Sequence, residues 1–163
     1  TRDREGFICW NADYDVQAIL KHLPRAVCER LQRFSRARYK GLRLRWVPGK
    51  FFTVHRAKRR LLAIYDLMQF YAMRLETAAS KFLGEHKTDP GVAWDVLLKT
   101  LRQKKNPLRQ KIMDYCMNDA RLVGALYQKS KDNMARIGVT FSRPVSCAAV
   151  AAQKRNEKFR FKI

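Results

Sequence analysis

A tyrosine and an aspartate lie one helical turn apart in the longest helical pattern of this sequence. The apolar residues between about 107 and 136 recur at spacings of three and four, which predicts a long helix with one face in the core. Asp119 lies on that apolar face, four residues after Tyr115. A carboxylate that faces a core is costly unless it is paired or bound to a cation. Two interpretations stay open: a salt bridge to a nearby Lys or Arg, or a metal ligand beside a tyrosine.

A second polar group, Asn11 to Asp15, directly follows the short apolar run at 7–10. The run predicts a strand, and the apolar spacing after it predicts a helix. The junction between a strand and a helix is the usual location of a ligand site in an open α/β sheet. Asn and Asp at this junction are also typical of a helix N-cap. Both interpretations stay open for this group as well.

The remaining reactive residues do not form a recognisable site. The three histidines are isolated in the sequence; they are His22, His55 and His86. The four cysteines are scattered without a C-x-x-C pair, and the glycines are dispersed. These spacings predict neither a zinc site nor a disulfide framework nor a glycine-rich phosphate loop.

Together, the two polar groups resemble the second and third exonuclease motifs of family B DNA polymerases, closest to the phage, plasmid and organellar types. Asn-x-x-Tyr-Asp occurs at Asn11, Tyr14 and Asp15, and Tyr-x-x-x-Asp occurs at Tyr115 and Asp119. Further segments follow the order of that domain; they are residues 47–52, 64–70, 78–84 and 141–146. The resemblance extends from about residue 7 to residue 152.

The resemblance implies a 3′–5′ exonuclease that holds two divalent metals, Mg²⁺ or Mn²⁺, with four carboxylates. Such an enzyme attacks the terminal phosphodiester with a metal-bound water. By this resemblance Asp15 and Asp119 are metal ligands, and Tyr115 orients the attacking water. Asn11 and Tyr14 are expected to contact the single-stranded 3′ end, with Tyr14 stacking on a base or touching a sugar.

Four arginines are expected to contact the nucleic acid. Arg74 stands roughly where protein-primed relatives carry a Lys near the scissile phosphate, so its role is implied by the resemblance. The other three belong to a charge run that includes Lys58; they are Arg56, Arg59 and Arg60. At the high net charge of this chain, such a run is expected to meet phosphates.

The first motif of the family, Asp-x-Glu on an opening strand, is missing from its expected place. Asp3 and Glu5 have the right spacing, but they lie in a polar stretch only six residues before Asn11. The family's first strand normally precedes two further strands and a helix. We therefore expect a chain that starts inside the exonuclease domain, as a fragment or a degenerate descendant. Two carboxylates are expected to bind Mg²⁺ weakly or not at all.

The elements around these residues predict an α/β fold. The predicted strands cover residues 7–10, 42–46, 51–54 and 61–65. The predicted helices cover about 12–23, 24–34, 67–73, 75–83, 91–103 and 107–136, with a last one opened by Pro144. Residues 36–40 are interpreted as a basic turn. The predicted architecture is a partial ribonuclease H-like fold, with a small sheet, a β-hairpin insertion and a helical C-terminal half. Residues 1–140 form the domain, and 141–163 form a basic segment leading out of it.

The net charge predicts a polyanionic partner. The chain has 35 Lys and Arg against 14 Asp and Glu, a formal charge of +21. The excess lies in residues 1–60 and 101–163, whereas 61–100 is nearly neutral. An excess this large causes self-repulsion unless an anion neutralises it, and nucleic acid is the expected anion. A solvated basic surface and a membrane-surface protein are the alternatives, but no long amphipathic basic helix favours a membrane.

Two functions follow as expectations. The first is a nucleic-acid-binding, exonuclease-like domain of a family B DNA polymerase, inactive as this isolated chain, which binds single-stranded DNA or RNA and belongs with a larger polymerase chain. The second is a non-catalytic basic protein derived from that fold, such as a component of a ribonucleoprotein like an organellar ribosome. No apolar run reaches the length of a membrane span, and the first five residues lack the apolar core expected of a signal peptide. We expect an intracellular location, in a phage-infected or plasmid-bearing cell or in a mitochondrion.

Overall fold

A computed structural model describes residues 6–89, 91–92, 96 and 108–139. The strands are β1 (Phe7–Cys9), β2 (Arg36–Tyr39), β3 (Leu42–Val47), β4 (Phe51–Arg56) and β5 (Arg59–Asp66). The helices in the described residues are α1 (Ala12–Leu20), α2 (Arg25–Phe34), α3 (Met68–Tyr71), α4 (Leu75–Leu83) and α5 (Arg109–Arg136).

The strands form one mixed sheet in the order β1-β5-β4-β3-β2. β1 runs parallel to β5, and every other neighbouring pair is antiparallel. The predicted α/β class is confirmed, and so is the turn at Pro48 and Gly49 that joins β3 to β4. In the part of the chain that the structure describes, no helix is long and apolar enough to span a bilayer.

Two predictions from the sequence are wrong in detail. Residues 36–40 are not a basic turn, because Arg36–Tyr39 is strand β2, paired along its length with β3. Its only fully buried side chain is the small Ala37, so the period-two pattern was too weak to recognise. The helix predicted over 67–73 ends at Tyr71, where Ala72 takes a left-handed conformation with φ 50°.

The helix predicted over 91–103 lies almost entirely outside the described residues. The helix opened by Pro144 and the segment 141–163 lie outside them as well.

The sheet separates two apolar clusters. Cys9 packs against the cluster of α1 and α2, whereas its neighbour Ile8 packs against the cluster of α4 and α5. Because successive side chains of a strand point to opposite faces, the two helix pairs cover opposite faces of β1. The largest fully buried side chains of the first cluster are Val16, Leu31 and Phe52, and those of the second are Leu67, Leu122 and Leu126.

Asp66, the last residue of β5, joins the ends of the two parallel strands. Its side chain is buried, with 1% exposed. One carboxylate oxygen accepts the N–H groups of Asn11 (3.1 Å) and Met68 (2.9 Å), and the other accepts the N–H of Ala12 (3.1 Å). Burial raises the pKa of the Asp66 carboxyl, and the three N–H bonds act in the opposite direction. The carboxylate therefore fixes where α1 and α3 begin.

Asp66→Asn is expected to lower the free energy of unfolding by about 1–3 kcal/mol, because an amide offers one acceptor oxygen and turns its NH₂ toward a backbone donor. Urea unfolding followed by circular dichroism measures the change. Asp132→Asn is the matched control, since Asp132 is exposed and its hydrogen bond in the described part of the chain comes from Gln128, within α5. Equal stability of the Asp66 variant and the control would contradict this role.

Candidate nucleic-acid site

Helix α5 carries Tyr115 and Asp119 and packs against both α4 and β1. Its buried Leu122 and Leu126 lie in one apolar cluster with Ala78 and Ala79 of α4, whose small side chains allow a close approach. This packing buries the part of α5 that follows Asp119. The turn from Tyr115 to Asp119 is only partly buried.

Lys87 lies between the tyrosine and the aspartate. Its Nζ donates to the Tyr115 hydroxyl at 2.6 Å and lies 2.8 Å from Asp119 Oδ2. The same ammonium is 4.8 Å from the centroid of the Tyr115 ring. Burial lowers the pKa of Lys87, but its bonds to Asp119 and Tyr115 outweigh burial, and the pKa is raised. Of the two interpretations of Asp119, the salt bridge is therefore present, and the metal ligand stays a prediction.

The loop after α4 holds Lys87 in place. Glu76 accepts the backbone N–H of Lys87 at 2.7 Å and contacts the His86 ring nitrogen at 2.8 Å. The neighbouring Glu85 forms an ion pair with Arg121 of α5. These contacts join the loop to α4 on one side and to α5 on the other, so the ammonium is positioned before any ligand arrives.

The second predicted group lies where β1 passes into α1. Asn11 is at the N-cap position in a left-handed conformation (φ 60°), without a hydrogen bond from its side chain to the helix. Tyr14 is 80% exposed, and Asp15 is exposed in the first turn. Asp15 accepts a hydrogen bond from the Cys9 thiol; burial first, and then this carboxylate, raise the pKa of Cys9 to about 11.

Asn11 occupies the N-cap position of α1, as one interpretation predicted, but its side chain does not cap the helix. The first N–H groups of the segment are bound by Asp66 rather than by the amide of Asn11. Asp13 is used elsewhere, since its carboxylate accepts the indole N–H of Trp46 at 3.2 Å and the backbone N–H of Gly49 at 2.8 Å. Tyr14 and Asp15 remain exposed in the first turn of α1, where the negative charge of Asp15 is favourable to the helix dipole.

The cation beside Tyr115 and Asp119 is Lys87, which the sequence analysis did not select. Arg74, the residue expected near the scissile phosphate, is the exposed residue before the first turn of α4. A weak signal for Lys87 was available, since residues 61–100 contain only four basic residues. Nothing in the sequence connected it to a helix that begins some twenty residues later in the chain.

The other predicted arginines lie at the hairpin between β4 and β5. Arg56 and Arg59 are exposed and face each other across the turn. Arg60 is partly buried and donates to the Tyr65 hydroxyl at 3.4 Å. Arg56 and Arg59 thus remain accessible to a nucleic acid, as the prediction requires.

Comparison with protein-family models, curated proteins and solved structures gave no match to this chain. The family resemblance therefore depends on the motifs themselves. Among the described residues, no group of three or more His, Cys, Asp or Glu side chains could hold a metal ion. Asp3 and Glu5 lie outside those residues.

A double-mutant cycle with Lys87→Met and Asp119→Asn is expected to give a coupling energy of about 1 kcal/mol, as partly buried charges in direct contact do. Urea unfolding of the wild type, both single variants and the double variant measures it. Because the folded-state pKa of Lys87 is raised above its ordinary 10.5, this coupling is complete from neutral pH up to about 10.5 and is lost as the pH rises through the raised pKa. A coupling near zero at neutral pH would contradict the ion pair.

Proposed function

We propose that this chain is a nucleic-acid-binding domain with a partial ribonuclease H-like fold, of the exonuclease type found in family B DNA polymerases. We further propose that it binds the 3′ end of a single strand and does not cleave it efficiently as an isolated chain. The observation that carries the proposal is that α5 packs on β1, because one motif lies in α5 and the other directly follows β1. Asn11, Tyr14 and Asp15 directly follow β1, and Tyr115 and Asp119 lie in the middle of α5.

The side chains around Lys87 suit a phosphate. A lysine ammonium has three donor hydrogens, and two of the contacts are already made to Tyr115 and Asp119. The third can donate to a phosphate oxygen. Lys87, which is held by Tyr115 and Asp119, would orient the terminal phosphate.

A divalent metal fits this group of residues only in part. Asp119 Oδ1 is buried and has no hydrogen-bond partner among the described residues, so a cation would compensate this oxygen. The other oxygen is held by Lys87, whose positive charge opposes a second cation nearby. Hard divalent cations take most of their ligands from oxygens, and Asp15 and Asp119 supply few. We propose that Mg²⁺ or Mn²⁺ binds weakly or not at all to this chain alone.

The second candidate function is non-catalytic binding in a ribonucleoprotein or a similar assembly. The ion pair between Lys87 and Asp119 favours it, because it gives both residues a structural use without a metal. The two candidates differ in one respect that can be measured. Only an exonuclease domain is expected to gain activity when the missing carboxylates are supplied.

The isolated chain is expected to show little or no 3′–5′ exonuclease activity with Mg²⁺ or Mn²⁺, because two of the four carboxylates of a two-metal site are missing. Release of nucleotides from a 5′-labelled single strand, resolved by gel electrophoresis, measures the activity. Asp119→Ala controls for contaminating nuclease.

Robust degradation that disappears in the Asp119 variant would show that other acids complete the site, against this proposal. A fusion that adds a strand with Asp-x-Glu before β1 separates the two candidates. Activity in that fusion supports the exonuclease type, and its continued inactivity supports the non-catalytic type.

Tyr14→Ala is expected to weaken the binding of single-stranded DNA about 5- to 10-fold, because stacking on an exposed aromatic ring contributes about 1–3 kcal/mol per base. Fluorescence anisotropy of a labelled single strand measures the affinity. Tyr14→Phe is the control, since it keeps an aromatic ring at this exposed position and is expected to retain the affinity. An unchanged affinity of the Ala variant would remove Tyr14 from the site.

A further inference from the structure

Four arginines form a two-by-two array on the hairpin of β2 and β3. In the register of the two strands, Arg36 lies opposite Arg45, and Arg38 lies opposite Arg43. All four side chains are exposed. They alternate along the strands with residues of the apolar core such as Ala37, so they lie on the face of the sheet opposite that core.

This arrangement is unfavourable in the free protein. Like charges directly opposite each other on neighbouring strands destabilise a sheet. The strands are about 4.8 Å apart, and successive residues on one face are about 6.7 Å apart, which concentrates four positive charges in a small area. Residues 30–60 contain twelve Lys and Arg and no acid. Within the described residues, none of the four arginines forms a salt bridge.

Only two of the four guanidinium groups have a described contact. Arg43 donates to the carbonyl of Ala57, and the Arg45 guanidinium lies 5.6 Å from the centroid of the Phe51 ring. Neither contact neutralises the charge. Arg36 and Arg38, on the edge strand β2, are therefore the residues whose substitution changes the charge and leaves these contacts intact.

The same arginines line an open cavity of about 810 Å³, which also includes Arg30 and Phe34 from the end of α2. We call this cavity the arginine groove. Phe34 is 54% exposed, and the guanidinium of Arg33 lies 5.2 Å from the centroid of its ring. An exposed aromatic ring beside a positively charged groove is the combination that binds single-stranded nucleic acids, with bases on the ring and phosphates on the cations.

We propose that the arginine groove binds the sugar–phosphate backbone of a single-stranded nucleic acid, with a base stacked on Phe34. A small anion would neutralise one or two of the clustered charges, whereas a chain of phosphates neutralises all of them and releases counterions. The groove is a second contact surface, formed by α2, β2 and β3, and shares no residue with the group around Lys87. The proposal rests on the proposed nucleic-acid-binding function, which it deepens.

The test compares the full chain with Arg36→Gln/Arg38→Gln and with a matched control, Arg109→Gln/Lys111→Gln. The control removes the same charge from exposed residues in the first turn of α5. Anisotropy is measured over a range of NaCl concentrations with a labelled single strand of about 20 nucleotides, longer than the 4–16 covered by typical single-strand-binding folds. DNA, RNA and duplex DNA of the same sequence form separate arms.

The groove variant is expected to bind about tenfold more weakly, with the slope of log K against log salt reduced in magnitude by about 1.4, since each lost contact to a single strand removes about 0.7. The control is expected to stay within about twofold of the wild type. Phe34→Ala is expected to lose about fivefold or more in affinity with an unchanged slope. DNA and RNA are expected to bind alike, and the duplex more weakly.

The Tm of thermal unfolding is a second readout. If the arginines only stabilised the fold, replacing them would lower the Tm, whereas this proposal predicts that it rises. Without nucleic acid, the groove variant is expected to have a higher Tm than the wild type at low salt, because the opposed charges are gone. With a saturating single strand, the wild type is expected to gain the larger increase in Tm. A lower Tm in the variant without nucleic acid would assign these arginines to folding and overturn the proposal.

The other outcomes are also decisive. If the wild type binds single strands and the groove variant binds equally well, this proposal fails and the proposed function stands. If the wild type binds no nucleic acid, both fail. Equal losses of affinity in the variant and the control would attribute the effect to net charge alone and overturn the proposal. Tighter binding to the duplex, or binding to phosphatidylserine vesicles without binding to oligonucleotides, would overturn it as well.

Discussion

The buried carboxylate of Asp66 holds the ends of the two parallel strands in one place. It accepts the N–H groups of Asn11, Ala12 and Met68, so the two helices that leave the sheet begin at the same carboxylate. A buried carboxylate without such bonds would be strongly unfavourable, which makes this geometry hard to change locally. The exposed side chain of Tyr14, one turn into α1, is presented from a position that Asp66 determines.

The helices that pack on the sheet determine where charged side chains can lie. Helices lie on both faces of β1, whose partly buried Ile8 and Cys9 pack against different apolar clusters. On the hairpin of β2 and β3, one face packs against α2, and the other carries Arg36, Arg38 and their opposite neighbours. Burying these arginines unpaired would be prohibitive. The protein therefore combines a packed half near α5 with a strongly cationic hairpin, although one sheet runs through both.

The ion pair of Lys87 gives the tyrosine and the aspartate of α5 a role in the stability of the fold. Asp119 lies on the core-facing stripe of α5, and an ammonium held by the loop after α4 compensates its charge. The same ammonium contacts Tyr115, so one lysine links both residues. The presence of a tyrosine and an aspartate at this spacing therefore does not by itself require catalysis. Both candidate functions are compatible with this ion pair. They differ in whether carboxylates hold a metal that cleaves the nucleic acid.

The sequence by itself determined the α/β class, the long helix and its apolar stripe, because hydrophobic periodicity is a local property of the chain. It also selected Asp119 as a residue that needs compensation, since a carboxylate on an apolar stripe is unfavourable in any fold. Only the tertiary structure decided that Lys87 supplies that compensation and that Arg36–Tyr39 is a strand. Contacts between residues far apart in sequence depend on how the elements pack, and no local pattern carries that information. The pairing of arginines across β2 and β3 was also decided by the tertiary structure. The alternating charges of each strand are visible in the sequence, but only the strand register places them opposite each other.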